Sequence, residues 1–85
     1  MFAVIWRDAA LNQLADAWVL ADLPTRDAIE QAINRLNSRL AADPRHLGES
    51  RVGRRRVAFD APCAISFVVD DPLAGVVRVT HFWTY

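Results

Sequence analysis

The apolar pattern of this chain changes period near Pro44, and that change limits the fold more than any other feature of the sequence. Before it, apolar side chains recur three and four residues apart: Leu11, Leu14, Ala15 and Trp18, then Ile29, Ala32, Ile33, Leu36 and Leu40. Such spacing gathers them on one stripe of a helix. After it, apolar and polar residues alternate or form short β-branched and aromatic blocks, as strands require. A chain that is helical first and extended later packs its helices on one side of an antiparallel sheet, the α+β class.

Local signals divide the two halves into elements. Phe2–Trp6 is a short β-prone block and predicts a first strand. Asp8 stands where an N-cap is needed, and Pro24 disfavours continuation of the first helix past Asp22-Leu23. Thr25 is expected to cap the second helix, with Asp27 and Glu30 early in it, where the helix dipole favours acids; Asp43-Pro44 ends it. Two helices joined by so short a turn form an antiparallel pair. Asp60-Ala61-Pro62 and Asp70–Gly75 read as turns between strands at Val57–Phe59, Cys63–Val69 and Val76–Tyr85. The predicted order is β-α-α-β-β-β, a mainly antiparallel four-stranded sheet packed against an N-terminal helical hairpin. Its 85 residues make one domain, 1–85, and are too few for two.

Strand parity sorts the side chains of the second half. The more apolar set is odd-numbered: Val57, Phe59, Ile65, Phe67, Val77 and Val79 are expected to face the helices. Arg54, Arg56, Ala58, Ser66, Arg78 and Thr80 then share the opposite, open face. Arg55 takes the other parity at the sheet edge. His81 and Trp83 share parity with Val77 and Val79 and point to the helix side, unless a bulge in the last strand re-aims them.

Charge and cysteine content narrow the setting. The net charge is zero, but residues 1–43 carry four arginines against six acids and residues 44–85 carry six against four. Every Lys-or-Arg position is arginine, the residue suited to bidentate phosphate or carboxylate contacts. The bias permits nucleic-acid binding. The longest apolar run, Met1–Trp6, is far short of the roughly 20 residues that cross a bilayer. One cysteine, Cys63, excludes an internal disulfide framework and supplies no metal-ligand spacing, and it reads as a small buried apolar residue. These features predict a cytoplasmic protein with no membrane segment, metal or other cofactor.

From Ile5-Trp6 through Ala42-Asp43-Pro44, Gly48-Glu49-Ser50-Arg51 and Arg54-Arg55-Arg56-Val57-Ala58-Phe59 to Val77-Arg78-Val79, the chain resembles the RelE/ParE toxin superfamily. The element order and the succession of basic strand, turn and apolar strand carry the resemblance over nearly the whole chain. It implies the toxin of a bacterial type II toxin–antitoxin pair, neutralised by a cognate antitoxin that wraps it in a hetero-oligomer, with a homodimer as the other assembly. RelE-like members cleave mRNA on the ribosome, the leading expectation here; ParE-like members poison DNA gyrase. A non-toxic partner-binding relative is the third reading.

Metal-independent RNA cleavage needs a base for the 2′-hydroxyl, a cation for the phosphorane charge and a proton donor for the leaving oxygen. Arg54, Arg56 and Arg78 are the candidate cations, with Arg51 reaching their edge and Arg55 beside them as a binding residue. The resemblance adds His81 and Tyr85, because some RelE-like enzymes use a C-terminal histidine and tyrosine. Lysine, which would otherwise serve as base, is absent. Glu49 is either a general base or the partner of Arg51. Trp83 is the expected antitoxin or dimer contact, whereas Trp6 and Trp18 read as core or interface anchors. His46 reads as a solvated loop residue.

Overall fold

A computed structural model describes residues 1–70 and 75–85. In chain order the elements are β1 (Ala3–Trp6), α1 (Asp8–Leu20), α2 (Leu23–Ala42), β2 (Glu49–Ser50), β3 (Arg55–Asp60), β4 (Cys63–Val69) and β5 (Val76–Thr84). The sheet order is β1-β5-β4-β3-β2, with β1 parallel to β5 and every other pair antiparallel. The expected α+β order holds. The sheet gains a fifth strand, the two-residue β2, which pairs Glu49 with Val57 and Ser50 with Arg56. The turn expected at Asp70–Gly75 lies, for residues 71–74, outside the described residues.

Both helices cover one sheet face. Ile29, Ala32, Leu36 and Leu40 of α2 are buried, as their spacing predicts, and Ile33 is half-buried beside them. They meet Cys63, Ile65 and Phe67 of β4, and Val77, Val79 and Phe82 of β5. Phe67 is fully buried, and burial of a side chain of that size stabilises the fold by about 1.5–3 kcal/mol. The α1 stripe is rotated from the expected one. Ala10, Leu14 and Ala17 join the core, while Leu11 and Trp18 stay exposed along the groove between the helices.

The helix starts also differ from expectation. Asp8 is the first residue of α1 and an acid in its first turn, and Arg7 precedes it without a side-chain cap. In α2 the cap is Asp22, whose Oδ1 accepts from the Thr25 backbone N–H at 2.9 Å. Pro24 lies inside the first turn, where no backbone N–H is required and its fixed φ suits the helix. Hydrogen bonding from the Thr25 side chain and backbone holds the Asp22 carboxyl below the usual carboxylate range.

Two departures from simple alternation shape the opposite sheet face. In β3, Ala58 enters the core and Phe59 is 50% exposed on the other side, the reverse of the expected parity. Polar anchors explain this. On the helix side, Asp60 takes a bidentate bond from Arg35 of α2, Nε to Oδ2 at 2.9 Å and Nη2 to Oδ1 at 2.7 Å. Arg56, two residues before Ala58, turns back onto the loop before β2. In β5, Val79 pairs with Phe67 but His81 pairs with Ser66, so Thr80 is an extra residue and the strand bulges. Past the bulge Phe82 is buried, and its N–H, where β1 has ended, donates to Gln13 Oε1 of α1 at 2.8 Å.

Candidate functional site on the open sheet face

The uncovered face of β3, β4 and β5 forms a shallow groove of about 480 Å³. Val57, Phe59, Ser66, His81 and Trp83 line it from the strands; Arg51, Val52 and Arg55 line it from the β2–β3 connection and the start of β3. The cross-strand register explains the set. Val57, Ser66 and His81 form one row, and Phe59, Ala64 and Trp83 form the next.

The bulge brings His81 into this groove. Alternation from Val77 and Val79 predicts it on the helix side; the extra Thr80 reverses the remaining residues, so His81 and Trp83 face outward. Thr80 and His81 both reach Ser66. Ser66 Oγ lies 2.7 Å from Thr80 Oγ1 and 3.0 Å from His81 Nδ1, and Thr80 Oγ1 donates to the Ser66 carbonyl at 3.1 Å. Ser66 is 4% exposed, so the imidazole is held from below and Nε2 is its ring nitrogen without a partner among the described residues.

The arginines are rearranged relative to expectation. Arg56 is not an open-face cation. Its Nε donates to Leu47 O at 2.9 Å, Nη2 to Gly48 O at 3.0 Å and Nη1 to Ser50 Oγ at 2.8 Å, so the guanidinium binds the β2 loop to β3. Arg54 is exposed in the turn before β3, outside the expected row and not among the residues that line the groove. Arg78 does face the open side, in the row that joins Arg55, Val68 and Arg78, but its Nε is paired with the Asp70 carboxylate. Arg55, expected at the edge, lines the groove and has no ion pair among the described residues. Arg51 lines it too, with Nη1 bonded to Glu49 Oε2 at 3.0 Å. Glu49 is thus the partner of Arg51.

An aromatic cluster closes the far end. Phe59 meets Trp83 edge-on at 6.2 Å between centroids and Tyr85 edge-on at 5.6 Å. The Tyr85 N–H donates to Pro62 O at 3.1 Å, so the last residue is tied to the β3–β4 turn with its ring exposed. Trp6, by contrast, is half-buried on the helix side and donates its Nε1–H to Asn37 Oδ1 at 2.9 Å. His46 pairs with Asp43 on an exposed loop, away from the groove.

The same architecture occurs among solved structures. A chain of the chromosomal ParDE TA system from P. aeruginosa superposes with a TM-score of 0.74 at 16% identity, over 99% of this chain and 96% of that one. This chain has the RelE/ParE fold. The correspondence is one of architecture: no protein-family model and no curated protein matches the sequence. On this RelE/ParE scaffold the groove uses the sheet face that the helices leave open. Ser66, which lines the groove, and Thr80, which bonds to it, are expected on the open face by parity but not among the expected site residues. Their signal is the step of three between Val79 and Phe82, which breaks an alternation of two.

Proposed function

We propose that this chain is the toxin of a type II toxin–antitoxin pair and that it cleaves RNA at the open-face groove without a metal ion. One observation carries the nuclease reading: the bulge sets His81, tied at Nδ1, in the same groove as Arg51 and Arg55. His81 Nε2 takes the proton of a 2′-hydroxyl. The resulting oxygen attacks the adjacent phosphorus, and the bond to the 5′-oxygen breaks to leave a 2′,3′-cyclic phosphate. Arg55, with Arg51, offsets the charge that develops on the phosphorane oxygens. The leaving 5′-oxygen takes its proton from water in the open groove, because Tyr85 stands at the aromatic end, away from the arginines. Trp83 and Tyr85 offer ring surface to an unstacked base. The ribosome supplies the message in its decoding site, and a cognate antitoxin covers the groove in the neutralised complex.

Inhibition of DNA gyrase is the second reading, favoured by the shared fold with a ParDE chain. Induced expression separates the two. The nuclease reading expects growth arrest with truncated transcripts, both abolished by His81→Gln and by Arg55→Ala. Arrest with intact transcripts, inhibited supercoiling and indifference to His81→Gln would establish the gyrase reading instead. Harmless expression of the chain alone would exclude both.

A further inference from the structure

Three polar atoms beneath the groove lie close enough to one another that their protons can be counted. Ser66 Oγ, Thr80 Oγ1 and His81 Nδ1 are separated by 2.7, 3.0 and 3.2 Å. A fourth contact runs from Thr80 Oγ1 to the Ser66 carbonyl at 3.1 Å, and there Thr80 must donate, because a carbonyl oxygen only accepts. A hydroxyl has one proton. With Thr80's proton on the carbonyl, the 2.7 Å contact between the hydroxyls requires the Ser66 proton. Ser66 Oγ then has only lone pairs left for the imidazole. The contact to Nδ1 is a hydrogen bond only if Nδ1 carries the hydrogen.

The other tautomer leaves one contact empty. If Ser66 donates to an unprotonated Nδ1, Thr80 must supply both the Ser66 hydroxyl and the Ser66 carbonyl from one proton. Two lone pairs then face each other at 2.7 or 3.1 Å, beneath a residue that is 4% exposed and hence poorly placed to recruit water. We infer that Ser66 and Thr80 are positioning residues that hold neutral His81 in its Nδ1–H tautomer, presenting the Nε2 lone pair to the groove. The bulge is the device that makes this possible, since it places two consecutive side chains opposite one serine. The inference rests on the nuclease reading for its purpose, because a base at Nε2 serves the proton abstraction proposed there. The tautomer itself is a property of the free protein.

The test is long-range proton–nitrogen correlation NMR on the full chain, made by cell-free synthesis with nitrogen-15 histidine, above the imidazole titration. In the wild type, His81 Nδ1 is expected at a protonated-nitrogen shift and Nε2 at an unprotonated one. Ser66→Ala should move both nitrogens towards the averaged shifts of a tautomer mixture, and Ser66→Thr, which keeps the hydroxyl, should restore the wild-type pattern. In RNA cleavage, Ser66→Ala is expected to lose about tenfold in rate and Ser66→Thr to regain it. A wild-type spectrum with the hydrogen on Nε2 overturns the inference, as does an unchanged pattern in a folded Ser66→Ala. His46, whose Nδ1 donates to the Asp43 carboxylate, supplies a reference for the shifts of an Nδ1–H ring. Failure of the chain to cleave RNA, with the tautomer as inferred, falls on the nuclease reading and not on the proton count.

Discussion

Adjacent arginines at the start of β3 are expected to respond in opposite ways to the same substitution. Arg56 makes three hydrogen bonds: to Leu47 O at 2.9 Å and Gly48 O at 3.0 Å in the loop between α2 and β2, and to Ser50 Oγ of β2 at 2.8 Å. The first is partly buried and the other two are exposed. A charged donor in a buried bond contributes roughly 1.5 kcal/mol or more, and an exposed one a fraction of that. Arg56→Ala should therefore destabilise the domain by about 2–3 kcal/mol. For a domain of this size that lowers Tm by roughly 10–20 °C. Arg55→Ala removes an exposed side chain without an ion pair among the described residues, so stability should stay within about 0.5 kcal/mol. Its loss instead removes positive charge from the groove and should reduce RNA cleavage roughly 100-fold, the scale of losing one transition-state donor. Thermal unfolding by circular dichroism, run beside a cleavage assay below both melting temperatures, reads the two effects separately. An Arg56→Ala protein that melts within about 3 °C of the wild type yet has lost activity would refute the assignment of Arg56 to the loop.

Three further outcomes follow from backbone and charge. Gly48 has φ +69°, and a Cβ there would meet Val57 O at 2.1 Å, so Gly48→Ala should destabilise by roughly 3 kcal/mol; Gly53, at φ +72° with open space around it, should lose only about 1 kcal/mol in chemical denaturation. Burial pushes the Cys63 thiol up to about 11 from 9.0, and the stability this reflects is complete below pH 9 and lost as pH rises towards 11. The fall is about 2 kcal/mol, it should be missing in Cys63→Ala, and native Cys63 should resist thiol reagents at pH 8 until the protein is unfolded. The Arg35 hydrogen bonds hold the Asp60 carboxyl below its usual range, so their contribution is present above that range and lost as pH falls through the lowered value. Denaturant midpoints from pH 6 to pH 2 should accordingly fall less steeply in Asp60→Asn than in the wild type.

Where a pattern is dictated by burial alone, the sequence was legible. The α2 stripe and the inward Ile65 and Phe67 follow from spacing because a wrong register would strand whole side chains in water. In β3 apolarity misleads. Val57 and Phe59 outrank Ala58, but Arg56 and Asp60 are fixed by partners 9 and 25 residues away, and those two bonds set the parity of the strand. Pro24 misleads in the same way, since a proline that disfavours continuation of one helix is equally suited to the first turn of the next. Parity misplaces the site arginines most. It puts Arg55, a binding residue, at the sheet edge although it lines the groove, and Arg56 on the open face although its guanidinium turns back to the β2 loop.

The bulge at Thr80 accounts for the kind of ligand the groove suits. Without the extra residue, His81 and Trp83 would follow Val79 inward, and the open face would keep its arginines but lose its imidazole and its largest ring. With it, cations at Arg51 and Arg55 stand at one end, His81 in the middle, and Phe59, Trp83 and Tyr85 at the other. A duplex offers phosphates but keeps its base faces stacked, so it leaves the aromatic end unused. A single strand offers phosphate and an exposed base face together, which is how sequence-specific RNA recognition commonly proceeds. A protein surface can match the apolar floor of Val57 and Phe59 and pair the arginines, yet it gives no role to a histidine held from below by two hydroxyls. The tie between Ser66, Thr80 and His81 is therefore the feature that favours chemistry over simple binding at this face.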